Sequence, residues 1–162
     1  LIVNGHSYGR KKTKEYKAVF KRVVYEPGTI TAISYDGEGK EQSRTSMKTA
    51  AGATELRVVA DRSTLQAKTQ DLAYISIDLT GADGTTKSSE DTAVTVEVDG
   101  AGKLLALGSA RPNMGENFFS DTHTTYYGKA LAVVRGGDVP GKVTVTVKAK
   151  GLRAKTLELE VI

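Results

Sequence analysis

Apolar and polar residues alternate with a period of two along most of this chain. Ile75, Ile77 and Leu79 alternate with Ser76, Asp78 and Thr80; Val94, Val96 and Val98 with Thr95, Glu97 and Asp99. Val143, Val145 and Val147 alternate with Thr144, Thr146 and Lys148, and Leu157, Leu159 and Val161 with Glu158 and Glu160. Successive side chains of a strand point to opposite faces, so each run sends one row into a core and the other into water. Val, Ile and Thr also suit a pleated, half-buried surface. No stretch carries an apolar stripe at helical spacing over the length of a helix, so the expected fold class is all-β.

Turn signals separate these runs. Asn4-Gly5 suits a two-residue type I′ hairpin, whose central residues both need positive φ. Asp36-Gly37-Glu38-Gly39 closes a second hairpin, Ala82-Asp83-Gly84, Asp99-Gly100-Ala101-Gly102 and Gly136-Gly137 interrupt later strands, and Pro140-Gly141 opens another. The pattern predicts strands over residues 1–3, 6–10, 17–25, 29–36 and 41–48, then 54–60, 72–80, 92–98, 103–107, 129–135, 142–150 and 154–162. Thr49-Ala50-Ala51-Gly52-Ala53 has no bulky side chain to pack and reads as a linker. The expected organisation is two immunoglobulin-like β-sandwich domains in tandem, residues 1–50 and 51–162. Seven strands in the second match one complete sandwich. The first is short and starts inside a strand, as a domain truncated at its N-terminus would.

Composition removes several classes of function. There is no Cys and there are two His, His6 and His123, which excludes disulfides, thiolate sites, thiol nucleophiles and a histidine-rich metal centre. No cofactor is expected. No apolar run reaches the roughly 20 residues that span a bilayer, so membrane insertion is not expected either. The net charge of +4 is uneven: residues 1–62 hold 12 Lys/Arg against 7 Asp/Glu, and residues 63–162 hold 11 against 12. The cationic cluster of Arg10, Lys11, Lys12, Lys14, Lys17, Lys21 and Arg22 has no nucleic-acid motif beside it and reads as a solvated face.

Two short motifs carry a family resemblance. Val3-Asn4-Gly5-His6-Ser7-Tyr8-Gly9-Arg10-Lys11 resembles a hairpin of family 2 β-galactosidases that lies in a small β-sandwich domain after their catalytic barrel. Val24-Tyr25-Glu26-Pro27-Gly28-Thr29-Ile30-Thr31-Ala32 is similar to a second segment of the same domain, and Tyr35-Asp36-Gly37 and Thr49-Ala50-Ala51-Gly52 follow in the expected order. Ala73-Tyr74-Ile75-Ser76-Ile77, the stretch from Gly108 to Phe118, and Tyr127-Gly128-Lys129-Ala130-Leu131-Ala132-Val133-Val134-Arg135 resemble the last sandwich of such enzymes. One departure is Ser109-Ala110-Arg111-Pro112, where relatives read closer to Asn-Gly-Asp-Pro; any role of that Asp is lost or altered here. The resemblance covers nearly the whole chain. It implies a non-catalytic C-terminal accessory region of a bacterial family 2 glycoside hydrolase that acts on terminal β-galactosides. It also implies a catalytic barrel in the same parent chain as partner, with a subunit interface as a further role. The compartment, cytoplasmic or secreted, would be set by residues outside the chain.

No catalytic, cofactor or metal residue is assigned from the sequence. A (β/α)8 barrel needs about 250 residues, and retaining glycosidases need two carboxylates flanking the scissile bond. Glu158 and Glu160 share the polar face of a strand, Glu90-Asp91 sits in a Ser-rich turn and Glu26 precedes Pro27-Gly28, all positions that suit solvated or turn roles. The longest irregular connection, residues 109–127, carries the one aromatic cluster: Phe118, Phe119, Tyr126 and Tyr127. Four rings in one connection predict partial burial, and they are the candidates for glycan or interface contacts. They also carry the alternative reading, a glycan-binding or adhesion-type module of a surface protein.

Overall fold

The computed structural model describes residues 1–113 and 115–162. They form two compact units, Leu1–Ala50 and Ala51–Ile162. The described residues contain strands and turns but no helix.

The first unit is one antiparallel sheet of β1 (Ile2–Val3), β2 (His6–Ser7), β3 (Thr29–Tyr35) and β4 (Glu41–Lys48), in the order β2-β1-β3-β4. Asn4 and Gly5 take φ of 47° and 82° and turn β1 back onto β2, with Val3 opposite His6. This is the expected type I′ hairpin. The Asn4 side chain then clasps a distant turn. Its Nδ2 donates to Pro27 O at 3.1 Å, and its Oδ1 accepts from Thr29 N at 2.8 Å. The two motifs behind the family resemblance therefore meet at a single amide group. At the second hairpin Asp36 Oδ1 accepts from Lys40 N and Glu38 N. The Lys40 N–H is the main reason the Asp36 carboxyl lies below its ordinary range. Strand β4 is exposed along its whole length and polar except at Met47, which suits an edge.

The strand expected over residues 17–25 is not formed. Glu15, Tyr16 and Arg22 take positive φ, Lys14 and Lys17 close a tight turn, and Val19, Val24 and Tyr25 are exposed. Alternation marks a face but supplies no ladder partner, and this segment pairs with none of the described strands. The strand expected over residues 6–10 likewise stops at Ser7.

The second unit is a two-sheet sandwich. One sheet has the order β5-β7-β11-β9, from β5 (Glu55–Ala60), β7 (Leu72–Thr80), β11 (Lys129–Gly136) and β9 (Gly102–Gly108). The other has the order β10-β8-β12-β13-β6, from β10 (Thr122–Thr124), β8 (Ala93–Gly100), β12 (Gly141–Ala149), β13 (Lys155–Val161) and β6 (Thr64–Leu65). Taken across the sheet, β5-β7-β11-β9 corresponds to strands A, B, E and D of an immunoglobulin fold, and β8, β12 and β13 to C, F and G. β6 joins β13 in parallel; the rest is antiparallel.

The alternating rows build the core between these sheets. Ile75, Ile77, Leu79, Val94, Val96, Val143, Val145, Val147, Leu159 and Val161 are buried, and Val98 and Leu157 pack at its margin. β11 is the informative strand. Its run from Ala130 to Val134 is continuously apolar, so the pattern alone leaves its phase open. Ala130, Ala132 and Val134 face inward opposite Ile77, Ile75 and Ala73, while Leu131 and Val133 face outward. Small inward residues on β11 make room for the isoleucines of β7 and leave the larger side chains on the outer face.

Two strands were not anticipated. β6 is two residues long. β10 lies inside the stretch expected to be wholly irregular, and its inward position is a histidine, His123, fully buried. A polar residue at the core position removes the apolar signal.

Candidate functional site

The segment 109–127 is held down by polar staples. Arg111 Nη2 donates to Asp91 Oδ2 at 2.8 Å, and Asp91 Oδ1 accepts from Gly128 N at 3.3 Å. Position 111, where the sequence departs from the resembled family, thus anchors the segment through a cation. Glu116 accepts from Thr124 N at 3.1 Å and from Thr124 Oγ1 at 2.7 Å, and the Thr124 hydroxyl is the main cause that lowers the Glu116 pKa below the usual carboxylate range. His123 Nδ1 lies 3.0 Å from Thr124 O. A carbonyl only accepts, so Nδ1 carries a proton. The other ring nitrogen, Nε2, is buried without a partner among the described residues. Phe118 stacks on the His123 ring at 5.8 Å and 15°.

These constraints shape a groove on the outer face of the β5-β7-β11-β9 sheet. Its floor is Ala106, Gly108, Leu131 and Val133, its walls are Phe118, Tyr126 and Tyr127, and its volume is ≈ 590 Å³. A Cβ at residue 108 would lie 2.5 Å from the Phe118 ring, so glycine there lets the ring rest on the strand. Tyr126 N donates to Lys129 O and Lys129 N to Tyr126 O, closing a two-residue turn with Tyr127 at φ 49° and Gly128 at φ 70°. The neighbouring Tyr127 phenol raises the Tyr126 pKa, and the two rings lie 4.4 Å apart.

Three of the four aromatic candidates therefore converge. Phe119 does not line the groove; it is 83% exposed. The floor residues escape sequence reading because an outward Leu131 looks the same as an inward one in a continuous apolar run.

The described lining of the groove is mainly aromatic and small apolar residues. None of its described lining residues is Asp or Glu, and its one cation, Lys129, pairs with Asp78 at 3.3 Å. A second cavity, of ≈ 700 Å³ at the β8–β9 and β11–β12 turns, has one carboxylate, Asp138. Of the carboxylates singled out in the sequence, Glu158 pairs with Lys142 at 2.9 Å, Glu90 with Lys87 at 3.0 Å and the Thr54 hydroxyl at 2.7 Å, and Asp91 with Arg111 at 2.8 Å. No group of three or more His, Cys, Asp or Glu among the described residues is arranged to hold a metal. Among the described residues, neither cavity opposes the pair of acids that cleaves a glycoside.

The sequence model of the glycoside hydrolase family 2 C-terminal domain 5 matches residues 56–158. The chain belongs to that family. A second model, of a domain of unknown function (DUF4982), matches residues 1–43 of this family 2 C-terminal region. It is similar to beta-galactosidase BoGH2A of Bacteroides ovatus, 31% identical over 160 residues, 98% of this chain and 19% of that protein. It is also similar to a crystal structure of a glycosyl hydrolase family 2 member from Bacteroides cellulosilyticus, with a TM-score of 0.94, 27% identity, and coverage of 99% of this chain and 21% of that one. A second such structure, from Bacteroides cellulosilyticus DSM 14838, has a TM-score of 0.92 at 28% identity, covering 98% of this chain and 22% of that one. The family 2 C-terminal region thus spans about a fifth of the length of these relatives, and the all-β, immunoglobulin-like fold read from the sequence agrees with them.

Proposed function

We propose that this region is a non-catalytic accessory part of a bacterial family 2 glycoside hydrolase that hydrolyses terminal β-galactosides, and that it braces the catalytic barrel of the same parent chain. The observation that carries the reading is the fate of the side chains in the second unit. The alternating apolar rows are spent on joining two sheets, and neither cavity gathers the two carboxylates that glycoside cleavage needs. Membership of a family of glycoside hydrolase C-terminal domains supports the choice of parent, and the name of the Bacteroides ovatus relative supports the choice of sugar.

Bracing is a claim about the parent enzyme. Removing residues 1–162 from it is expected to lower its thermal midpoint by several degrees and to reduce turnover at the assay temperature. Calorimetry and aryl β-galactoside kinetics on the two forms check this. Equal midpoints, equal assembly state and equal kinetics would reject the bracing role.

A further inference from the structure

We propose that the groove over β9 and β11 is a sugar-contact platform that accepts one pyranose ring of a neutral saccharide. Ligand pockets are mostly apolar, with a few polar groups that fix orientation. Here the walls are the rings of Phe118, Tyr126 and Tyr127, and the rim carries the tyrosine hydroxyls and Lys129. A pyranose offers the matching surface: a face of C–H groups for the rings and hydroxyls at its edge for the rim.

Three further observations point the same way. The first is Tyr127. Its φ of 49° places it at the first central position of a type I′ turn, a site that favours Asn, Asp or Gly. A bulky residue at positive φ is an outlier, and such strain persists where a side chain is needed. It holds the Tyr127 ring over the groove, still 59% exposed. The second is order before binding. The Arg111–Asp91–Gly128 and Glu116–Thr124 contacts tie down the backbone that carries the walls, so less conformational freedom is left to lose on binding. The third is charge. Lys129 is compensated by Asp78, Arg111 by Asp91, and no described lining residue is acidic. A compensated groove favours a neutral ligand over an anionic one.

The choice of a galactoside as first probe rests on the proposed function; the platform does not. The test is a titration of the isotope-labelled 162-residue chain with methyl β-galactopyranoside and, separately, methyl β-glucopyranoside, followed by amide shifts. Saturable shifts confined to Gly108, Phe118 and residues 126–131, with millimolar affinity, are expected. Tyr127→Asn places the preferred residue in the turn; it is expected to keep or raise the thermal midpoint and to weaken binding at least about tenfold. Phe119→Ala, outside the groove, is expected to bind as the parent does. Saturation by the glucoside alone would keep the platform and count against a galactoside parent. Three outcomes would overturn the platform: no saturable shift with either glycoside, binding untouched by Tyr127→Asn, or groove shifts that follow the chain's own concentration without sugar. The last would assign the groove to a second copy of the chain.

Discussion

Replacing Ile77 by alanine is expected to destabilise the second unit by about 3 kcal/mol, within the range of large-to-small core substitutions. Ile77 is fully buried at the middle of β7, between Val58 on β5 and Ala130 on β11. One of its two ladder neighbours, Ala130, has only a methyl group and cannot extend into the space left behind, so the cavity should largely persist. Ile77→Val removes a single methylene and should cost about 1 kcal/mol. Leu131→Ala on the same sheet should cost less than Ile77→Ala although the side chain is as large, because Leu131 is 41% exposed on the outer face. Urea unfolding read by hydrogen exchange at the Val145 amide measures all three. A Leu131→Ala loss equal to that of Ile77→Ala would mean that the phase assigned to β11 is wrong.

The second large effect belongs to the first unit. Gly28→Ala is expected to lower its stability by about 2–3 kcal/mol, from backbone strain together with a steric clash. Gly28 has φ +140°, and a Cβ there would fall 1.9 Å from Asn4 Oδ1. The Asn4 amide would have to leave Pro27 O and Thr29 N. The two sites are therefore coupled. In an Asn4→Ala background the clash is gone, and Gly28→Ala should cost only the backbone strain, roughly 1–2 kcal/mol. Hydrogen exchange at the Ile33 amide in β3 follows the loss. Additive costs in the double mutant would show that the clasp does not hold this turn.

Those two substitutions also mark how far the sequence could be read. Strands with strict alternation and a polar outer row, such as β12 and β13, were legible because one face is buried and the other wet. The Asn4-Gly5 turn was legible because few dipeptides accept two positive φ values in succession. The Asn4 clasp was not, since a contact across more than twenty residues leaves no local pattern. Residues 17–25 show the opposite failure. Their pattern is that of a strand, yet a strand exists only when a neighbour accepts its hydrogen bonds.

At the candidate site, composition pointed to a segment that lines a groove, and did so for a partial reason. Four rings in residues 109–127 marked a cluster, but only the structure separates Phe118, Tyr126 and Tyr127, which face one groove, from Phe119, which does not. The groove floor comes from a different part of the chain. Its outward Leu131 and Val133 are hidden in an uninterrupted apolar run, and Gly108 contributes by what it lacks. His123 was unreadable as a core residue because its burial depends on Thr124, Glu116 and Phe118 surrounding it.

The most direct measurement is hydrolysis of an aryl β-galactoside by the purified 162-residue chain, beside its intact parent. A fold whose interior is fully used to join its sheets should release no aglycone above the buffer rate, while the parent turns over. Saturable turnover by the chain alone, abolished by changing one of its own carboxylates, would contradict the account at its root.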